Sequence, residues 1–159
     1  MGLKEKRIFN MSGRLADGEH RKLQIGQMHM ETAFVVLDFK VWPTNTSTNS
    51  QLNGTLTLKG DDSIVPSTPS FKDTNQFAWC SYNVSDPNVH PGVGVQPAFV
   101  ITQSTHIDDE KYFAQDIHVH GDDSAQSQGI NYWIKIAEFS TPPDVGSLIQ
   151  LRQFGRIKA

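Results

Sequence analysis

Apolar and polar residues alternate along most of this chain with a repeat near two, and turn-forming residues interrupt the alternation often. That is the pattern of strands buried on one face. Residues 21–25 alternate. The longest run, Thr32 to Trp42, sets Leu37, Phe39 and Val41 against Asp38 and Lys40, and Pro43 ends it. Gly54 to Lys59 and Phe77 to Tyr82 predict two further strands. Pro97 to Thr102, Tyr112 to His120 and Ile130 to Phe139 repeat the grammar; in the last, Tyr132, Ile134 and Ile136 oppose Trp133, Lys135 and Ala137. Ser147 to Arg152 fits either a strand or a short helix. Thr44 to Asn53, Pro66 to Asn75 and Asp86 to Gly94 read as polar connections.

About eight strands separated by turn-rich connections predict an all-β protein, an antiparallel β-sandwich of jelly-roll type. The 159 residues fit one domain, 1–159, with a basic N-terminal arm over about residues 1–18 and a short C-terminal tail over about 147–159. Composition agrees. Charged residues make up 19%, below the roughly 25% of ordinary soluble domains, while Ser, Thr, Asn and Gln number 43. Hydroxyls and amides keep the surface wet, which excludes a coiled coil built on Glu, Lys and Arg. No repeat of solenoid or propeller length is present.

The net charge of −3 hides a gradient. Residues 1–60 hold eight basic and five acidic side chains, 61–123 hold two and ten, and 124–159 hold four and two. An acidic middle between basic ends suggests terminal arms that meet acidic surfaces on neighbouring copies, or that touch nucleic acid. In the first arrangement Lys4, Lys6, Arg7, Arg14, Arg152, Arg156 and Lys158 reach Asp108, Asp109, Glu110, Asp122 and Asp123, and salt weakens the contacts.

Candidate chemistry is sparse. The single cysteine, Cys80, excludes an intramolecular disulfide and sits in a β-rich run, where a buried apolar role is expected. His118 and His120 share a strand face at i and i+2, the spacing at which a cupin-like enzyme holds a metal, with His29, His90 and His106 as further possible ligands. The Glu that such a pattern wants is missing, and no metal is expected. The acidic stretch 105–110 and Gly121-Asp122-Asp123 lack calcium-loop spacing. Phosphate loops, nucleophile elbows and His-Glu-x-x-His are absent, so neither a catalytic residue nor a cofactor is assigned. Trp42, Trp79 and Trp133 with Tyr82 and Tyr132 offer either packing or a platform for sugar rings.

The basic opening followed by Phe9-Asn10-Met11-Ser12-Gly13, the strand Phe34 to Trp42, Gln115-Asp116-Ile117-His118-Val119, and above all Ile130-Asn131-Tyr132-Trp133-Ile134-Lys135-Ile136-Ala137-Glu138-Phe139 resemble small β-sandwich structural proteins of marine phages. The resemblance covers about half the chain. It implies a non-enzymatic virion component (capsid, decoration or tail-associated) that acts by self-association and is made in a host cytoplasm. Its partners are then copies of itself and other virion proteins, with neither membrane nor nucleic acid expected. A carbohydrate-binding module for attachment to a host surface glycan is the alternative, and the cupin-like enzyme a third reading. The opening basic residues precede no apolar stretch, so a signal peptide is not expected, and no run reaches the roughly 18 apolar residues of a membrane span.

Overall fold

Strand alternation is realised in two antiparallel sheets facing each other across one core. The computed structural model describes residues 4–25, 31–44, 52–60, 76–85, 100–108, 110–114, 116–123 and 129–154. In chain order these form β1 (Lys4–Leu15), β2 (His20–Leu23), β3 (Thr32–Pro43), β4 (Leu52–Lys59), β5 (Gln76–Ser85), β6 (Val100–Ile107), β7 (Ile117–Asp123), β8 (Ile130–Ser140) and α1 (Pro143–Phe154). One sheet has the order β1-β8-β3 and the other β2-β7-β4-β5-β6. Successive strands switch sheets between β1 and β2, β2 and β3, β3 and β4, and β7 and β8. The chain thus wraps a β-sandwich as a jelly roll does. Connections 45–51, 61–75 and 86–99 lie outside the described residues, as do Asp109, Arg156 and Lys158.

The inward residues explain why the two sheets close. Phe34, Val36, Phe39 and Val41 of β3 and Ile130, Tyr132, Ile134 and Ile136 of β8 meet Leu56, Leu58, Cys80, Tyr82, Ile117 and Val119 of the opposite sheet, all nearly or fully buried. Phe113, between β6 and β7, plugs one end. Its ring lies 5.6 Å from Phe34 in one sheet and 5.3 Å from Phe77 in the other, and its backbone exchanges two hydrogen bonds with Phe34. At the side of the sandwich β6 takes its ladder from β5, yet it reaches the free edge of β3. Gln103 Nε2 donates to the Val41 carbonyl at 2.7 Å and Thr105 Oγ1 to that of Phe39 at 3.4 Å, so polar inward residues there satisfy an edge.

Two departures from the sequence expectation have local causes, and the choice between strand and helix near the C-terminus goes to a helix that begins four residues earlier. Residues 4–15, read as part of a basic arm, are a full strand hydrogen-bonded along β8, because Phe9, Met11 and Leu15 supply an inward face that the flanking charges disguise. Leu37 does not share a face with Phe39 and Val41. A β-bulge between Val36 and Asp38 adds a residue, leaving Leu37 41% exposed while the other two are buried. The C-terminal segment is the helix α1, whose Val145 and Ile149 pack with Ala33, Tyr112 and Ala114 over the outer side of the three-stranded sheet. No helix among the described residues is long and apolar enough to cross a membrane.

Burial sets a pH limit on the fold. The Cys80 thiol and the Tyr132 hydroxyl are pushed above their ordinary values of 9.0 and 10.0, in both cases chiefly by desolvation. The folded protein therefore keeps both protons to higher pH than the unfolded chain does. Their contribution is intact below pH 9 and is lost as pH rises from 9 through 10 and beyond. The urea midpoint is expected to fall over that range in wild type and less steeply in Cys80→Ala, and iodoacetamide is expected to label Cys80 only after unfolding. Labelling of the native protein at neutral pH would contradict this burial.

Candidate functional site

Strand pairing arranges the outer face of the five-stranded sheet in rows. One row runs Asp122 on β7, Thr55 on β4, Ser81 on β5 and Ser104 on β6; the next holds Asn53, Asn83 and Thr102. These seven short polar side chains floor a groove of about 570 Å³, closed beneath by the backbone of Gly54, Tyr82 and Gln103. The sequence makes the trough directly. Small residues alternate outward on three neighbouring strands while Leu56, Cys80 and Val84 point into the core.

On the other side of the first row stands a taller one, in the register His20, His120, Thr57, Trp79, His106. Trp79 and His106 stack with centroids 5.8 Å apart at 30°. His20 stacks on His120 at 4.3 Å and 9°, and on His118 at 4.9 Å. His20 Nε2 and His118 Nδ1 are 2.7 Å apart, a direct ring-to-ring hydrogen bond. Beyond them Lys22 pairs with Asp116 at 3.0 Å.

This geometry bears on the metal reading. His118 and His120 do share a face, but it is the outer one, because Ile117 and Val119 take the core side. A cupin-like site needs its ligands turned into the barrel. His106 lies at the opposite edge of the sheet, and His29 and His90 are outside the described residues. No group of three or more His, Cys, Asp or Glu placed to hold a metal occurs among the described residues. Cys80 is buried with its Sγ 3.1 Å from Thr105 Oγ1, a packing position that gives no nucleophile to a substrate.

The opposite side of the sandwich is chemically different. Ile8 (46% exposed), Leu37 and Trp42 (41% each) rise from the three-stranded sheet, and Leu148 (59%) from the helix that lies on it. These four are the exposed large hydrophobic residues among those described, and all are on this side. Trp133 is half-buried there with Lys40 Nζ 5.1 Å from its ring. None of the three tryptophans lies in the core: Trp42 and Trp133 face out from one sheet and Trp79 from the other. Tyr82 and Tyr132 are core residues, not part of a platform.

No protein-family model matches the chain, and no curated protein matches it. The residues expected to make charged contacts fall in several places. Lys6 and Arg7 both reach the part-buried Glu138 of their own chain, Lys6 at 3.9 Å. Lys4 and Arg14 lie at the two ends of β1. Asp108 pairs with Lys111 at 3.1 Å at one end of the five-stranded sheet, and Glu110 is exposed nearby. Asp122 belongs to the groove at the other end, with Asp123 next to it on β7; Arg152 is in α1. Asp108 and Asp122 therefore do not form one acidic surface. Sequence reading missed the groove residues Asn53, Thr55, Ser81, Asn83, Thr102 and Ser104. The available signal was the run of short polar residues at every second position, legible only once the strands are set side by side.

Proposed function

We propose that this chain is a non-enzymatic virion structural protein, a capsid, decoration or tail-associated subunit of a phage particle that acts by self-association. The observation that carries the reading is the one-sided exposure of Ile8, Leu37, Trp42 and Leu148. Exposed apolar residues with Asn10, Lys135 and Lys40 set between them give this face the mixed make-up of a protein–protein contact. The same side carries β1, twelve residues long, with β8 on one edge and no strand on the other among the described residues. A free edge of that length is a template for pairing unless something covers it. The jelly-roll sandwich, which viral capsid domains share with lectins, and the phage-like segment Ile130 to Phe139 add support.

The contact proposed is a second copy docked on this side through these apolar residues, in place of the charged termini. Lys6 and Arg7 are engaged with Glu138, which leaves them less to offer a neighbour. In light scattering and native mass spectrometry the full chain is expected to be oligomeric and to remain so as ionic strength rises, since burial of apolar surface is not screened by salt. The triple variant Ile8→Lys, Trp42→Ser, Leu148→Glu is expected to be a monomer with an unchanged circular-dichroism spectrum. A wild-type monomer at high micromolar concentration, or particles from which peptides of this chain are missing, would overturn the proposal.

A further inference from the structure

We propose that the groove on the outer face of the five-stranded sheet binds a neutral polysaccharide. The inference goes beyond self-association and rests on the other side of the molecule. Its volume of about 570 Å³ lies within the range of roughly 300–1,000 Å³ typical of small-ligand sites. The lining chooses the ligand class. Asn53, Asn83, Thr55, Thr102, Ser81 and Ser104 present amides and hydroxyls that both donate and accept, which matches the hydroxyls of a sugar, each also donor and acceptor.

The alternatives fit less well. Among the described residues no cation lines the groove, and Asp122 contributes a carboxylate, so phosphate backbones and sulfated or uronic polymers meet repulsion there. The outward side chains described there include no apolar group, so a lipid tail or an apolar peptide gains little from them. A carboxylate is instead a strong acceptor for paired sugar hydroxyls. Trp79, half-buried and stacked on His106, stands in the row next to the groove and is not part of its lining. The groove spans four strands, so a chain of sugars, not a single ring, is the matching occupant.

Affinity electrophoresis in native gels containing neutral polysaccharides (β-glucan, mannan, xylan) or polyanions (alginate, dextran sulfate) tests this directly. At least one neutral polymer is expected to retard the full chain, and the polyanions are not. Thr102→Arg, which puts a long side chain into the groove from an exposed position, is expected to abolish retardation. Asp122→Ala is expected to weaken it about tenfold or more, the range for losing a hydrogen bond to a charged group. Retardation by no neutral polymer, equal retardation by the polyanions, or retardation that survives Thr102→Arg would each overturn the proposal. Loss on Trp42→Ala with Thr102→Arg unaffected would do so too, by moving the site to the other sheet. The oligomeric state of Thr102→Arg is expected to equal that of wild type, so this proposal and the assembly proposal fail separately.

Discussion

Phe113→Ala is expected to destabilise the fold by about 3–5 kcal/mol, the cost of truncating a fully enclosed phenylalanine and leaving a cavity. The residue is 0% exposed and touches both layers, through Phe34 on one side and Phe77 on the other. Removing the ring therefore opens the end of the sandwich and does more than thin one sheet. Against a total stability of roughly 5–15 kcal/mol for a domain, the loss is a large share. With about 2–4 °C of melting temperature per kcal/mol at this chain length, calorimetry should show a fall of about 10 °C. Phe113→Leu, which refills most of the space, is expected to lose only about 1 kcal/mol. The backbone bridge between Phe113 and Phe34 survives both substitutions, so the contrast between them reports the ring alone. Equal melting temperatures for Phe113→Ala and wild type would mean that the two sheets close without it.

That residue also shows how far the sequence could be read. The alternation that predicts β3, β4, β5 and β8 is a local property, set by which side chains face inward at every second position, and those strands sit where the pattern puts them. The place of Phe113 does not follow from that pattern. The alternation predicts a single strand from Tyr112 to His120, whereas Phe113 bridges Phe34 on its own and β7 begins at Ile117. Its partners are 36 and 79 residues away in the chain, and their convergence is set by the wrapping of the whole sandwich. The same limit hid β1, whose inward Phe9, Met11 and Leu15 are interleaved with Arg7, Asn10, Ser12 and Arg14, so that charge overshadowed a period of two. The bulge at Leu37 inserts one residue without any glycine or proline to announce it.

The candidate sites divide along the same line. A pair such as His118 and His120 is visible at once because it lies within three residues, yet its outward direction depends on which neighbours take the core. The groove draws its floor from β4, β5, β6 and β7, with no two of its side chains in one short motif beyond the alternation itself. One-sidedness is likewise a property of the assembled layers. Four exposed apolar residues between positions 8 and 148 meet on one side only after the sheets form. Under the assembly and glycan proposals the two sides would serve different partners, and neither proposal depends on the other.

Gly54→Ala is expected to destabilise the protein by about 1–3 kcal/mol even though alanine in place of glycine ordinarily favours a strand. A Cβ at position 54 would lie 2.7 Å from three atoms of the Tyr82 ring, directly across the β4–β5 ladder. The ring is rigid and 2% exposed, hemmed in by the core, so it has little freedom to withdraw. Gly13 stands in the same relation to Tyr132 in the other sheet, with the added atom 2.5 Å from the hydroxyl. In both sheets a tyrosine lies over a glycine on the neighbouring strand and fills the space its side chain would take. The decisive measurement is the cycle with Tyr82→Leu. Once the ring is gone the Cβ has room, and Gly54→Ala should then become neutral or stabilise by about 0.4–1 kcal/mol through the lower entropy of the unfolded chain. The penalty disappears or reverses with the background, giving a coupling of roughly 1–4 kcal/mol between residues 28 positions apart. The groove reports the same event. Gly54 and Tyr82 line it, so displacing that ring shifts the Asn53, Thr55 and Asn83 side chains that make its floor, and polysaccharide retardation should weaken in Gly54→Ala alone. Full stability and full retardation in that variant would show that the ladder at Gly54 yields more readily than the contact distances allow.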